Sequence, residues 1–200
     1  MPMLLVISGP TAVGKATLIK ELLKRDSTIR VPVSFTTRLP RLGEVDGIDY
    51  HFVTKEKFLD LRNKDYFIEW AEYSGNFYGT PTGELGRETR SGQDILIEIE
   101  CQGARQIKEK FPSAILIFIL PPTFSSLEER IRGRGTENEM QIQSRLKTAR
   151  EELDKVKEFD CWITNSRVED AVTDLAELIR ILRKGGKPDI IRYRNKSILV

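Results

Sequence analysis

The stretch from Leu4 to Leu18, LLVISGPTAVGKATL, limits what this chain can fold into more than any other. Its apolar run Leu4-Leu5-Val6-Ile7 stops at Ser8-Gly9-Pro10, as a buried parallel strand does on entering a turn. Gly9 and Gly14 bracket four residues, Lys15 follows directly, and Leu18, Ile19, Leu22 and Leu23 recur at helical spacing. Strand, glycine loop and helix in that order form the context of a phosphate-binding loop. Glycines let the backbone curl so that successive N–H groups point inward, and the new helix adds its positive end. The candidate triphosphate site is therefore Gly9, Pro10, Thr11, Ala12, Val13, Gly14, Lys15, Ala16 and Thr17, with Lys15 reaching the β- and γ-phosphates. The competing reading is an ordinary glycine turn with a solvated lysine. Residue 16 is Ala, where such loops carry a Ser or Thr hydroxyl for Mg²⁺. Thr17 is no substitute, because one step along a helix turns the side chain by about 100°. Mg²⁺ keeps several waters and sits mainly on substrate phosphates, so nucleotide binding survives the change.

At 200 residues, 40% hydrophobic and 31% charged, the chain is expected to be one soluble globular domain with a sizeable core. A net charge of +2 offers no nucleic-acid or membrane surface, and neither partner is expected. Cys101 and Cys161 are too few for a disulfide framework or a metal site and read as reduced thiols of a cytoplasmic protein. The apolar N-terminal run is too short for a signal or membrane segment.

The loop helix should end between Lys24 and Asp26. From residue 33 to about 90 the chain is mixed: a turn at Asp46-Gly47, a short strand at Tyr50-His51-Phe52, and a short helix capped by Thr54. A hairpin follows, from Phe67–Tyr73 to Asn76–Thr80. Regular alternation returns with a strand over Gln93–Glu100, a helix over 102–110 and a strand over Ala114–Leu120. A helix over 125–132, a break at Gly133-Arg-Gly135, a long charged helix over 139–159, a strand over 161–164 and a helix over 168–184 complete it. The predicted organisation is a core of 1–32, 91–122 and 148–200, an insertion at 33–90 and a helical lid at 123–147. Alternating strands and helices imply an α/β fold with a parallel sheet covered on both faces and ligands at the strands' carboxyl ends. The basic tail after Asp189 carries no reading beyond a chain end.

Arg38, Arg41, Glu44, Tyr50, Glu69 and Tyr78 gather in the insertion. Arginines three apart in a loop can clamp one phosphate, with Ser34, Tyr50 and Tyr78 adding neutral hydroxyls. The bland alternative is solvated charge beside turns. Glu69, between Ile68 and Trp70 in a strand, accepts only, and guanine offers adjacent N1–H and N2–H₂ donors that adenine lacks. Its alternative is a surface ion pair. Glu98 and Glu100 are expected on one face of their strand, one holding the water shell of Mg²⁺, the other reaching toward a second nucleotide. Phosphoryl transfer is catalysed by positioning and by cations, so Arg130, Arg134 and Arg145 join Lys15 as catalytic candidates on a glycine-hinged lid. Arg132 and Arg150 read as helix-surface partners, Arg132 with Glu128 at i,i+4. The single histidine, His51, reads as structural.

The run Ser34-Phe-Thr-Thr-Arg-Leu-Pro-Arg-Leu-Gly-Glu44, with Gly47-Ile-Asp-Tyr50, Glu69-Trp-Ala-Glu72 and Gly75-Asn-Phe-Tyr-Gly-Thr80, resembles guanylate kinases. Glu98-Ile-Glu-Cys-Gln-Gly103 and Arg132-Gly-Arg-Gly-Thr-Glu137 extend the resemblance, which runs from the glycine loop to about Asn165. It implies the P-loop NTPase three-layer fold: a five-stranded parallel sheet, a mixed α+β GMP-binding insertion and a helical lid. It further implies transfer of phosphate from ATP to GMP, giving ADP and GDP, with Mg²⁺ bound alongside ATP. GMP phosphate would rest on Ser34, Arg38, Arg41, Tyr50 and Tyr78, and guanine on Glu69, Thr80 and Glu100. Asn165 would lie near adenine, and Glu98 would hold Mg²⁺ through water. Thr11, Ala12 and Ala16 depart from the family pattern, as does Glu for the frequent Asp at 98 and 100. Two rivals share part of this pattern: a kinase of sugar bisphosphates, which needs no guanine-reading Glu69, and the non-catalytic peptide-binding module of scaffold proteins, expected to have lost parts of the loop or lid and to be fused to other domains. A monomer or homodimer is expected.

Overall fold

The computed structural model describes residues 2–73, 75–83, 92–133 and 138–186. In chain order they form β1 (Leu4–Ser8), α1 (Lys15–Arg25), β2 (Ile29–Arg30), β3 (Phe35–Thr36), β4 (His51–Phe52), α2 (Lys55–Asn63), β5 (Phe67–Tyr73) and β6 (Asn76–Pro81). There follow β7 (Asp94–Glu98), α3 (Cys101–Lys110), β8 (Ile115–Leu120), α4 (Phe124–Arg132), α5 (Glu139–Asp154), a 3₁₀ turn at Lys155–Glu158, β9 (Cys161–Thr164) and α6 (Val168–Arg183). The larger sheet has strand order β2-β7-β1-β8-β9, and the smaller has β4-β3-β6-β5. Two compact units result, Met1–Leu5 with Thr28–Ala114, and Val6–Ser27 with the described residues from Ile115 onward.

In the second unit, β8 and β9 pair in parallel and are almost wholly buried, as strands covered on both faces must be. α1 buries Leu18, Ile19 and Leu22, and α6 buries Ala171, Val172, Leu175, Leu178 and Ile179. These stripes face each other, and Arg183 clamps Asp26 beyond the end of α1 at 2.7 Å. In the first unit the smaller sheet has two unlike faces. Phe67 and Phe77 stack on Phe58 of α2, with Phe35 and Trp70 packed against them. The opposite face carries Thr36, Tyr78, Thr80 and Glu69, in register across β3, β6 and β5.

A β-bulge at Ile68 sorts β5 between these faces. Phe67 pairs with Pro81 and Glu69 with Thr80, so Ile68 is the extra residue. Phe67 and Trp70, three apart, consequently share the aromatic face, and Glu69 turns to the polar one. Strict alternation would have driven the Glu69 carboxylate in with Phe67 and Phe58.

Several expectations change. The strand expected over Gln93–Glu100 spans only Asp94–Glu98, and Glu100 becomes the N-cap of α3 instead of a strand residue sharing a face with Glu98. The helix over 139–159 ends as α-helix at Asp154 and tightens into the 3₁₀ turn. β2 and β3, of two residues each, are too short to show alternation. Thr54 caps α2 as expected, accepting from Lys57 N–H at 3.2 Å. Among the described residues no helix is long and apolar enough to cross a membrane.

Candidate active site

The glycine loop is shaped by close approaches that only its residue types allow. Gly9 has φ +146°, and a Cβ there would collide with the Ile119 carbonyl at the end of β8. Gly14 has φ +97°, and a Cβ there would lie 2.7 Å from Asn165 Nδ2. Ala12 holds φ +62°, a left-handed conformation unusual for a residue with a side chain. Behind the loop, the Val13 carbonyl accepts from Asn165 Nδ2 at 2.8 Å and from Arg130 Nη1 at 3.2 Å. Arg130 Nη2 also donates to the Asn165 carbonyl at 3.0 Å. These bonds occupy the Val13 carbonyl, and within the loop the Val13 N–H donates to the Pro10 carbonyl at 3.3 Å. Lys15, 9% exposed, donates to the Gly9 carbonyl at 2.5 Å and the Pro10 carbonyl at 3.4 Å. Arg145 of α5 donates to the Thr11 hydroxyl at 3.3 Å. Lys15, Arg130, Arg145 and Asn165 are thus brought together on one loop. Asn165 Oδ1, with Nδ2 fixed on Val13, is buried and has no hydrogen-bond partner among the described residues.

On the polar face of the smaller sheet, Thr80 donates its hydroxyl to Glu69 Oε1 at 2.6 Å and lies 3.2 Å from the Ser34 hydroxyl. Glu69 is 3% exposed. Burial raises its carboxyl to about 7, against the Thr80 hydrogen bonds and the more distant Lys110, with Glu100 reinforcing the rise. Tyr50 and Tyr78 meet edge to face at 6.1 Å. Burial, aided by Glu98, pushes the Tyr50 phenol up to about 12, so it stays a neutral donor at pH 7. Arg38 lies over the rings of Tyr50 and Phe52 at 5.4 and 5.7 Å. Its guanidinium forks onto Glu44 at 2.8 and 3.0 Å, which holds the Glu44 carboxyl below its ordinary range. Glu44 also accepts from the Arg41 backbone N–H at 2.7 Å, while residue 41 itself is exposed. The structure therefore ties Glu44 to both arginines of the loop and sets Ser34, Glu69, Tyr78 and Thr80 on one surface.

The guanylate kinase family model matches residues 1–182. The chain belongs to the guanylate kinase family. A guanylate kinase of Prochlorococcus marinus is 48% identical over 177 residues, covering 88% of this chain and 96% of that protein. One from Clostridioides difficile is 47% identical over 193 residues, covering 96% and 92%. A crystal structure of guanylate kinase from Anaplasma phagocytophilum superposes with a TM-score of 0.77 at 33% identity, covering 90% of this chain and 86% of that one. Membership makes the chain a nucleoside monophosphate kinase, a transferase, with the P-loop fold expected from its first strand and loop.

The sequence foresaw the rest of these residues only in part. Arg134, expected on the lid, lies outside the described residues. Arg132, expected as a surface partner, bonds Glu128 at 2.8 Å and Glu139 at 2.7 Å, and Arg150 stacks over Phe124 at 4.6 Å. Among the described residues no group of three or more His, Cys, Asp or Glu could hold a metal alone. Phe52 beneath Arg38 passed unnoticed, as did the bulge at Ile68. Gln106 bonds both the N–H and the carbonyl of Trp70, at 3.3 and 2.9 Å, and was also missed. A helix that carries Gly103 between apolar positions was the available signal, since glycine is costly there.

Proposed function

We propose that the chain transfers the γ-phosphoryl group of ATP to GMP, giving ADP and GDP, with the glycine loop as triphosphate site and the polar face of the smaller sheet as GMP site. The observation that carries this is Glu69, a carboxyl group buried beside the hydroxyls of Thr80 and Ser34 on a surface that also bears Tyr78. A buried acceptor left unpaired is costly, and guanine presents two adjacent donors to it. A base offering an acceptor there is rejected strongly. In this reading Glu100 adds acceptor charge near Glu69, and Ser34, Arg38, Arg41, Tyr50 and Tyr78 take the phosphate. Glu44 holds the arginine loop in shape. A monophosphate with second pKa about 6 is largely dianionic at pH 7, so its oxygen attacks without a general base.

Lys15, Arg130, Arg134 and Arg145 neutralise the transferring group, and Asn165 Oδ1 offers an acceptor to the exocyclic amine of adenine. The family's reaction is generally Mg²⁺-dependent, and the residues present fit a metal that arrives on the nucleotide: Ala16 supplies no ligand, and Glu98 is a single carboxylate at a strand end. Bound there, Mg²⁺ would supply charge for the phosphates. We assign 33–90 to GMP binding, 123–147 to a closing lid and the remainder to the core. Buried cysteines at 101 and 161 accord with a cytoplasmic setting.

An assay of ADP release with GMP, AMP, CMP and UMP tests the reading. GMP should be phosphorylated at least about a hundredfold better in kcat/KM than the rest, and Glu69→Ala should erase most of that margin through the KM for GMP. Wild-type GMP kinetics in Glu69→Ala would overturn it.

A further inference from the structure

Three residues of α3 meet β5 around Glu69. Gly103, Gln106 and Lys110 stand at i, i+3 and i+7, along one helix face. β5 is the last strand in the order of the smaller sheet, so among the described residues its outer N–H and carbonyl groups have no neighbouring strand. Gln106 takes that place: its Oε1 accepts from Trp70 N–H at 3.3 Å, and its Nε2 donates to the Trp70 carbonyl at 2.9 Å. Lys110 Nζ donates to the carbonyl of Ile68, the bulge residue itself. Between these two anchors lies Glu69, and a Cβ on residue 103 would come within 2.6 Å of its Oε2. Glycine inside a helix is unfavourable relative to alanine, yet nothing in the helix geometry requires one at 103. The close atom is the tip of the Glu69 side chain.

We infer that the α3 face formed by Gly103, Gln106 and Lys110 is the specificity-positioning device of this kinase, holding the β5 bulge and leaving room at Gly103 for the carboxylate that reads the base. Gln106 and Lys110 act on backbone; Gly103 acts by the absence of a side chain. None of them touches substrate. The inference rests on the proposed reading of Glu69 and extends it to residues outside the binding surface.

An alanine Cβ at 103 would displace Glu69 Oε2 and crowd Ile99 Cδ1 at 3.3 Å, both flexible ends of side chains, so the fold tolerates the change while the carboxylate moves. Inosine monophosphate, whose base lacks the exocyclic amine of guanine, reports that carboxylate. Gly103→Ala should lower the preference for GMP over IMP in kcat/KM by about tenfold or more, the loss of one charge-assisted hydrogen bond, with the KM for ATP unchanged. Its unfolding midpoint should be unchanged or raised, because alanine is the better helix residue. In a Glu69→Asp background, whose shorter acid does not reach residue 103, the same substitution should cost no further preference. Gln106→Met, which keeps length but removes both bonds to Trp70, should lower the preference as well. Wild-type preference in both Gly103→Ala and Gln106→Met, or an equal loss from Gly103→Ala in the Glu69→Asp background, overturns the inference. Glu69→Gln separates the two levels. If it collapses the preference while the α3 variants do not, only the positioning role fails; if it too leaves the preference intact, the reading of Glu69 falls and takes this inference with it.

Discussion

At residue 69 the chain keeps a carboxyl group where water cannot reach it, and that has a thermodynamic sign. Its ordinary value near 4.5 rises to about 7 in the folded protein, with burial the main cause. A raised acid binds more protons folded than unfolded, so stability falls as pH rises from about 4.5 to 7 and stays reduced above. The loss is of order 3 kcal/mol, at about 1.4 kcal/mol per pH unit. Glu69→Gln removes the titration while keeping an acceptor for Thr80. Its stability relative to the parent should therefore grow across that window, measured as denaturant midpoints at pH 5 and pH 8, while its KM for GMP rises. A pH-independent difference would contradict the buried, raised carboxyl. Ala12 is a second residue held against its preference, at φ +62°. Left-handed backbone costs a non-glycine residue about 1–2 kcal/mol, part of which glycine returns as unfolded-chain entropy. Ala12→Gly should raise stability by up to about 1 kcal/mol in urea unfolding at unchanged m; destabilisation would contradict that backbone.

At the scale of elements, the glycine loop was legible because its requirements are local: a buried strand, glycines at fixed spacing and a helix that begins on Lys15. The smaller sheet was legible in part: the hairpin of β5 and β6 and the short strand β4 were expected, but β3, of two residues, is recognisable only by the parallel register that joins Phe35 to His51. The bulge at Ile68 reverses the facing of everything after it, and a period-two reading has no way to place such an insertion. Glu100 was misplaced for a related reason: its parity with Glu98 matters only while the strand lasts, and the strand ends two residues earlier. Gly79 shows how closely the aromatic face is packed, since a Cβ there would lie 3.0 Å from both Phe58 and Phe67. Gly79→Ala should therefore cost about 1–3 kcal/mol by overpacking, read as a lowered thermal midpoint. A neutral result would show that the two rings can separate without cost.

At the scale of the molecule, composition bounded the answer without choosing it, because a net charge of +2 and two thiols suit many α/β enzymes. What narrowed it was the coexistence of two chemistries in one chain. One unit shapes a loop whose Val13 carbonyl is held back by Asn165 and Arg130. The other sets an acid among hydroxyls and an arginine over tyrosine. A kinase of sugar bisphosphates has use for the first and none for a buried acceptor at 69; a peptide-binding module has no use for Lys15 drawn onto its loop. The most direct measurement is a crystal structure of this protein with GMP. The Glu69 carboxylate should lie within about 3 Å of N1 and N2 of guanine, with the phosphate among Ser34, Arg38, Tyr50 and Tyr78. A base lying away from Glu69, with the GMP phosphate elsewhere, would contradict it.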